Sequence, residues 1–246
     1  MVLEGQDKKG RRDKGTVRAT KRDEYCIKWI AEQYAARLDQ IQRLLSRFPD
    51  SKHPFRNGTM IAETTTRVHI ARWVRAGWIE NERILAEGPA WAWVSRAGLD
   101  AVDLAYTARP PSVVRLNHIY AVNKIRLSLD KKYAWVSERE LRSQLDAAQK
   151  GKSSGPIPDG VILHPSLGRT AIEVQLTGIK PYEMQRKLLH LLRENNVMEP
   201  GLKLLYPSVW VYVASEPLKK LVDKACQALQ DEERRRVSTI LVDMTM

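Results

Sequence analysis

The stretch 157-IPDGVILHPSLGRTAIEVQLTGIK-180 sets one acid at the head of a short apolar strand and a second acid inside the next. Side chains alternate along a strand with a period of two, so Glu173 and Gln175 share a face. If the two strands lie side by side, Asp159 comes within reach of Glu173. A carboxylate among Ile, Val and Leu is costly unless something answers its charge, and a divalent metal is a common answer. Two plainer readings compete. Asp159 before Gly160 suits a turn, and Glu173, opposite the apolar residues of TAIEVQL, suits the solvent side of an edge strand.

The residues around this stretch extend an α/β pattern. HIYAVNKIRLSLDKK (118–132) reads as a helix with Ile119, Val122, Ile125 and Leu129 on one face. YAWVSERELRSQLDAAQ gives a short strand and then a helix, where Ser137 and Glu140 stand at capping-box spacing. A Gly/Ser/Lys loop leads into the two acid-bearing strands. Next come a basic amphipathic helix from Lys180, the strand SVWVYVAS, a helix with Pro217 in its first turn, and the strand STILVDM. Helix, strands, helix, strand is the order of helices packed on a mixed sheet.

The N-terminal part reads differently. Ile27, Ile30, Tyr34, Leu38, Ile41, Leu45 and Phe48 recur at steps of three and four, as on one continuous helix. A Pro/Gly-rich break follows, then a helix over TMIAETTTRVHIARWVRAG with Val68, Ile70, Trp73 and Val74 as its buried side. Gly77 stops that helix. WIENERILAEGPAWAWVSRAG reads as two strands about a Glu-Gly-Pro turn. This order is similar to a winged helix-turn-helix. The similarity implies that Thr64, Thr65, Thr66, Arg67 and His69 face the major groove and that Arg83 on the wing meets the DNA backbone.

The charge points the same way. Lys and Arg number 41 against 29 Asp and Glu, a net charge of +12, which favours a polyanionic partner. Residues 1–22 carry eight basic and three acidic residues and read as a disordered basic arm; 23–107 balance; 108–246 hold the remaining excess. The expected division is therefore an arm at 1–22, a winged helix-turn-helix at 23–107 and an α/β domain at 108–246. The two cysteines have no metal-type spacing, and no apolar run reaches the ~20 residues of a membrane span. The expectation is a cytoplasmic protein with no membrane partner.

Pro158-Asp159 at one strand and Glu173-x-Gln175 in the next, followed by a basic helix, resemble the PD-(D/E)xK nuclease superfamily over about residues 115–215. The resemblance implies that Asp159 and Glu173 hold Mg²⁺ or Mn²⁺, with the Val174 carbonyl as a further ligand and Glu138 or Glu140 as the upstream acid. Gln175 stands where the superfamily usually has Lys, and Lys180 could reach back in its place. Arg186, Lys187 and Arg193 would line a phosphate channel. The order RLNHIYAVNKIRLSL, WVSERELR, IPDG, AIEVQLTGIK and VWVYVAS, behind a winged helix, is similar to the replication-relaxation type of plasmid and mobile-element proteins. That similarity implies double-stranded DNA as partner, together with replication or mobilisation proteins, and a homodimer would suit a palindromic target. Two readings stay open: a Mg²⁺-dependent endonuclease or nickase, and an inactive nuclease fold serving as a DNA-binding regulator.

Overall fold

The computed structural model describes residues 18–48, 60–129, 133–149, 156–164, 168–193, 196–199, 202–204 and 206–243. Most of the basic arm and the centre of the Gly/Ser/Lys loop lie outside these residues. The chain is mixed α+β, with a small three-stranded sheet and a mixed five-stranded sheet.

The first unit is built from α1 (Lys21–Glu32), β1 (Ala36–Arg37), α2 (Leu38–Arg47), α3 (Glu63–Arg75), β2 (Ile79–Glu82), β3 (Trp91–Val94) and α4 (Arg96–Ala101). Thr20 caps α1 through a reciprocal box with Asp23: the Thr20 hydroxyl accepts from the Asp23 N–H, and the Thr20 N–H donates to the carboxylate. That carboxylate is buried and also takes the indole N–H of Trp73 at 2.7 Å and an ion pair from Arg72, tying α1 to α3. The expected single helix from Tyr25 to Phe48 is two. Tyr34 turns left-handed at φ 69°, and Ala36–Arg37 pair with β3 before the chain re-enters a helix. The apolar steps survive the interruption, because both helices press the same core of Ile27, Ile30, Ile41, Leu44 and Trp73. The hairpin forms as expected, with Ile79 opposite Val94 and Glu82 opposite Trp91. Gly77 ends α3 at φ 72°, a conformation that costs glycine little.

No helix or strand spans 104–112. A 3₁₀ turn at Val113–Arg115 then opens α5 (Leu116–Ser128). This helix was expected to bury one face, yet it buries two. Leu116, Ile119 and Tyr120 pack with Trp91 and Trp93 of the first unit, while Ala121, Val122 and Ile125 pack on Ile162, Ile172 and Val174. Polar clasps close the joint. Buried Asn123 donates to Ala35 O at 2.9 Å, and Arg126 pairs with Glu32 at 2.7 Å. Arg47 of α2 caps the carbonyls of Leu127 and Leu129.

The second unit continues with β4 (Ala134–Ser137), α6 (Glu138–Gln149), β5 (Gly160–His164), β6 (Gly168–Gln175), α7 (Pro181–Arg193), β7 (Asn196–Glu199), β8 (Leu202–Leu204), β9 (Ser208–Val213), α8 (Glu216–Gln227), α9 (Asp231–Arg234) and β10 (Val237–Leu241). The sheet order is β10-β9-β6-β5-β4, with β6 parallel to β9 and antiparallel to β5. Its second face is covered by α7 and α8, through Met184, Leu188, Leu191, Val222 and Ala225 against Ala171, Val209 and Val211. β6 is therefore a central strand covered on both faces. Glu173 is only 2% exposed, so the solvent-facing edge position is wrong for it. The hairpin β7–β8 was not foreseen. Gly160 is not a turn glycine either: it lies in β5, and a Cβ there would fall 2.2 Å from the Trp135 ring.

Candidate active site

The pairing Gly160↔Ile172 carries Asp159, one step outward, beside Glu173 and Val174. The Val174 N–H donates to Asp159 Oδ2 at 2.8 Å. The other oxygen, Oδ1, lies 2.7 Å from Nε2 of His118 at the start of α5. Burial alone would lower the His118 pKa, but the hydrogen bond and charge of Asp159 win and raise it. Glu173 points to the α7 face and forms an ion pair with Lys187, while its Oε1 is buried with no hydrogen-bond partner among the described residues. Burial pushes the Glu173 carboxyl up to about 8, against the pull of Lys187 and with the help of the Asp159 charge. Lys187 would lose its proton more easily on burial, but the two acids reverse this and raise its pKa, so it stays cationic.

Glu138 is the upstream acid that reaches this place. It lines a cavity of about 20 Å³ with His118, Asp159 and Arg115, room for a water molecule. Arg115 donates to its Oε2 at 2.6 Å and Arg142 to its Oε1 at 2.7 Å. Glu140 instead serves the helix start, its N–H donating to Ser137 Oγ at 3.1 Å while its side chain takes Gln144.

Several expectations move. Gln175 donates to the Thr177 carbonyl at 2.6 Å, a local contact. Lys180 is exposed and turns to the Tyr182 ring, 5.8 Å from its centroid, so it does not supply the missing cation. Lys187, expected along a phosphate channel, supplies it, while Arg186 remains exposed. Arg193 is held by Glu233. Position 187 falls between Met184 and Leu191 on the buried stripe of α7, and a Lys there was the signal available in the sequence. His118 likewise shares the sheet-facing side of α5 with Val122 and Ile125.

On α3, Thr64, Thr65 and Arg67 are exposed, and Arg67 is paired with Glu63 at 2.6 Å. Thr66 faces inward, its hydroxyl on the Ala62 carbonyl, and His69 is half-buried with its ring 6.0 Å from that of Trp73. Neither presents itself to a groove. Val68 and Val74, expected inside, are exposed. Between α3 and the hairpin lies a cavity of about 520 Å³ whose charged lining is Arg67, Arg75 and Arg83.

Among the described residues no group of three or more His, Cys, Asp and Glu side chains is arranged to hold a metal. Two carboxylates nonetheless suit Mg²⁺, which binds one or two and completes its shell with waters and phosphate oxygens. The unpartnered Oε1 of Glu173 is the donor left open for it. No family model, curated protein or solved structure matches the chain.

Proposed function

We propose that the protein binds double-stranded DNA through its first unit, used as a winged helix-turn-helix, and cleaves phosphodiester bonds at Asp159, Glu173 and Lys187. The observation that carries the reading is Lys187 on Glu173, which returns to the acid pair the cation that Gln175 does not provide. A divalent ion bound by Asp159 and Glu173 would lower the pKa of a bound water and offset charge on phosphorus. His118 and the Val174 N–H fix the Asp159 carboxylate. Lys187 carries a positive charge at the point where a phosphate oxygen would gain negative charge. On α3, Thr64, Thr65 and Arg67 would read the duplex, Val68 would contact thymine methyl groups, and Arg83 would hold the backbone. The similarity to replication-relaxation proteins makes mobile-element DNA the natural substrate.

The test is relaxation or linearisation of supercoiled plasmid in Mg²⁺ or Mn²⁺. Wild type should cut, while Asp159→Ala, Glu173→Ala and Lys187→Met should lose activity by orders of magnitude yet still shift duplex DNA in a gel.

A second reading has its own support. Asp159 and Glu173 already have protein partners at three of their four oxygens, as expected of a retained scaffold. On that reading wild type binds duplex DNA and never cuts it.

A further inference from the structure

A groove runs along the seam between the two units and stops short of the acid site, at a water-sized cavity beside Asp159. The small cavity at Asp159 shares Tyr34, Arg115 and Ile119 with a second cavity of about 190 Å³. The second shares Tyr34 and Arg109 with a third of about 280 Å³, walled also by Tyr106, Arg139 and Arg142. No acid lines the second or third cavity among the described residues; the acids begin at the far end, at Glu32, Glu138 and Asp159. One polarity therefore runs the length of the groove, from a cationic mouth to the carboxylates.

The cations are held in place. Arg115 and Arg139 lie 5.1 and 5.0 Å from the Tyr34 ring centroid, and Arg139 lies 4.6 Å from that of Tyr106. Arg139 bonds only to backbone, the Ala31 and Thr107 carbonyls, so no carboxylate neutralises it, whereas Arg115 and the half-exposed Arg142 share Glu138, from which a phosphate would draw Arg142. Arg109 is exposed and makes no hydrogen bond or ion pair among the described residues. Tyr34, in the wall of all three cavities, holds a left-handed backbone conformation that costs a non-glycine residue energy and is often found at functional sites.

We infer that this seam binds a single strand of nucleic acid, its phosphates on Arg109, Arg139 and Arg142. A concave basic track with guanidinium and aromatic planes suits unpaired bases, which stack on such planes whatever their sequence. Pockets of this volume take nucleotide-sized groups, whereas a duplex meets a protein across a broad surface.

The experiment is fluorescence anisotropy of labelled oligothymidine, about twenty nucleotides long to exceed a typical site, with the full chain in EDTA. Arg109→Glu/Arg142→Glu should weaken binding about tenfold or more and flatten the salt dependence by about 1.4 in log–log slope, roughly 0.7 per lost phosphate contact. Arg109→Ala alone should give about half that change in slope, and it removes no intramolecular bond that could unfold the chain. Arg67→Ala/Arg83→Ala should leave oligothymidine binding unchanged. Wild type that ignores oligothymidine, or an Arg109→Ala and a folded double variant that bind it as wild type does, overturns the inference. Duplex binding measured in parallel keeps the two readings apart: oligothymidine held without duplex affinity or cleavage sinks the proposed function and leaves the seam standing.

Discussion

Lys187, in the second turn of α7, forms an ion pair with Glu173 in the central strand of the sheet, and both side chains are largely withdrawn from water. Such a pair gives weak net stability, because desolvation offsets most of the attraction. Glu173→Leu/Lys187→Met should therefore be as stable as wild type, or about 1–4 kcal/mol more stable, in urea unfolding. Lys187→Met alone should cost more as pH rises. Without the ammonium, burial holds the Glu173 proton to still higher pH, so the loss relative to wild type should be small below the wild-type value of about 8 and grow above it. The sign follows from a raised folded-state pKa: stability is full below the unfolded value and falls as pH rises through the folded one. A double variant much less stable than wild type would show that the pair is kept for the fold.

Metal binding should depend on the same proton. A carboxyl pushed up to about 8 must lose its proton to become a ligand, so Mn²⁺ affinity should climb between pH 6 and 8 and level off above. Titration calorimetry without DNA reads this directly. Glu173→Ala and Asp159→Ala should abolish the heat, and binding that persists in both places the metal elsewhere.

His118 and Asp159 make a second pH-sensitive contact, of opposite practical use. The His118 pKa is raised, so the contact contributes fully below the free value near 6.5 and fades as pH climbs through the folded value. His118→Asn should cost about 1.5–3 kcal/mol at pH 5.5 and less at pH 9, as for a charge-assisted hydrogen bond. Equal losses at both pH values would mean the ring matters only for packing.

Much of this was legible from periodicity. The acid-bearing strands, the hairpin after Gly77 and the mixed sheet follow from alternation and turn residues. The misreadings share a cause: a period reports which residues are buried, not what they meet. Steps of three and four continued through Tyr34, so two helices looked like one. A stripe of Ile119, Val122 and Ile125 described one face of α5, while Leu116 and Tyr120 buried another against the first unit. Lys187 looked like a surface cation until α7 was laid on β6. Asp23 stands outside the apolar period altogether, and only the tertiary structure sets it against Trp73 and Arg72.

Asp23 is accordingly a stability site. Burial would raise its pKa, but the Trp73, Thr20 and Arg72 bonds outweigh this and lower it. Its contribution is present above the unfolded pKa and is lost as pH falls through the folded value. Asp23→Ala should cost about 3–5 kcal/mol at pH 7 by leaving the Arg72 charge and the buried Trp73 indole N–H unpaired. The difference from wild type should shrink as pH falls through the folded value, as read by thermal melts.

On α3 the pairing of Glu63 with Arg67 sets up the last expectation. Both side chains are exposed, and an exposed pair of this spacing is worth only about 0.3–0.5 kcal/mol, so a phosphate can take Arg67 from Glu63 at little cost. Glu63 itself, in the first turn of α3, would face the phosphates with the wrong sign. Glu63→Gln should therefore tighten duplex binding a few-fold without changing the melting temperature by more than about 2 °C, consistent with a surface substitution. Arg67→Ala and Arg83→Ala should each weaken duplex binding and flatten the log–log salt dependence by about 0.9, the signature of one lost phosphate contact. Anisotropy with a labelled duplex at several salt concentrations gives both numbers. If Glu63→Gln weakens binding while Arg67→Ala leaves the slope unchanged, the face of α3 is not the one that meets DNA.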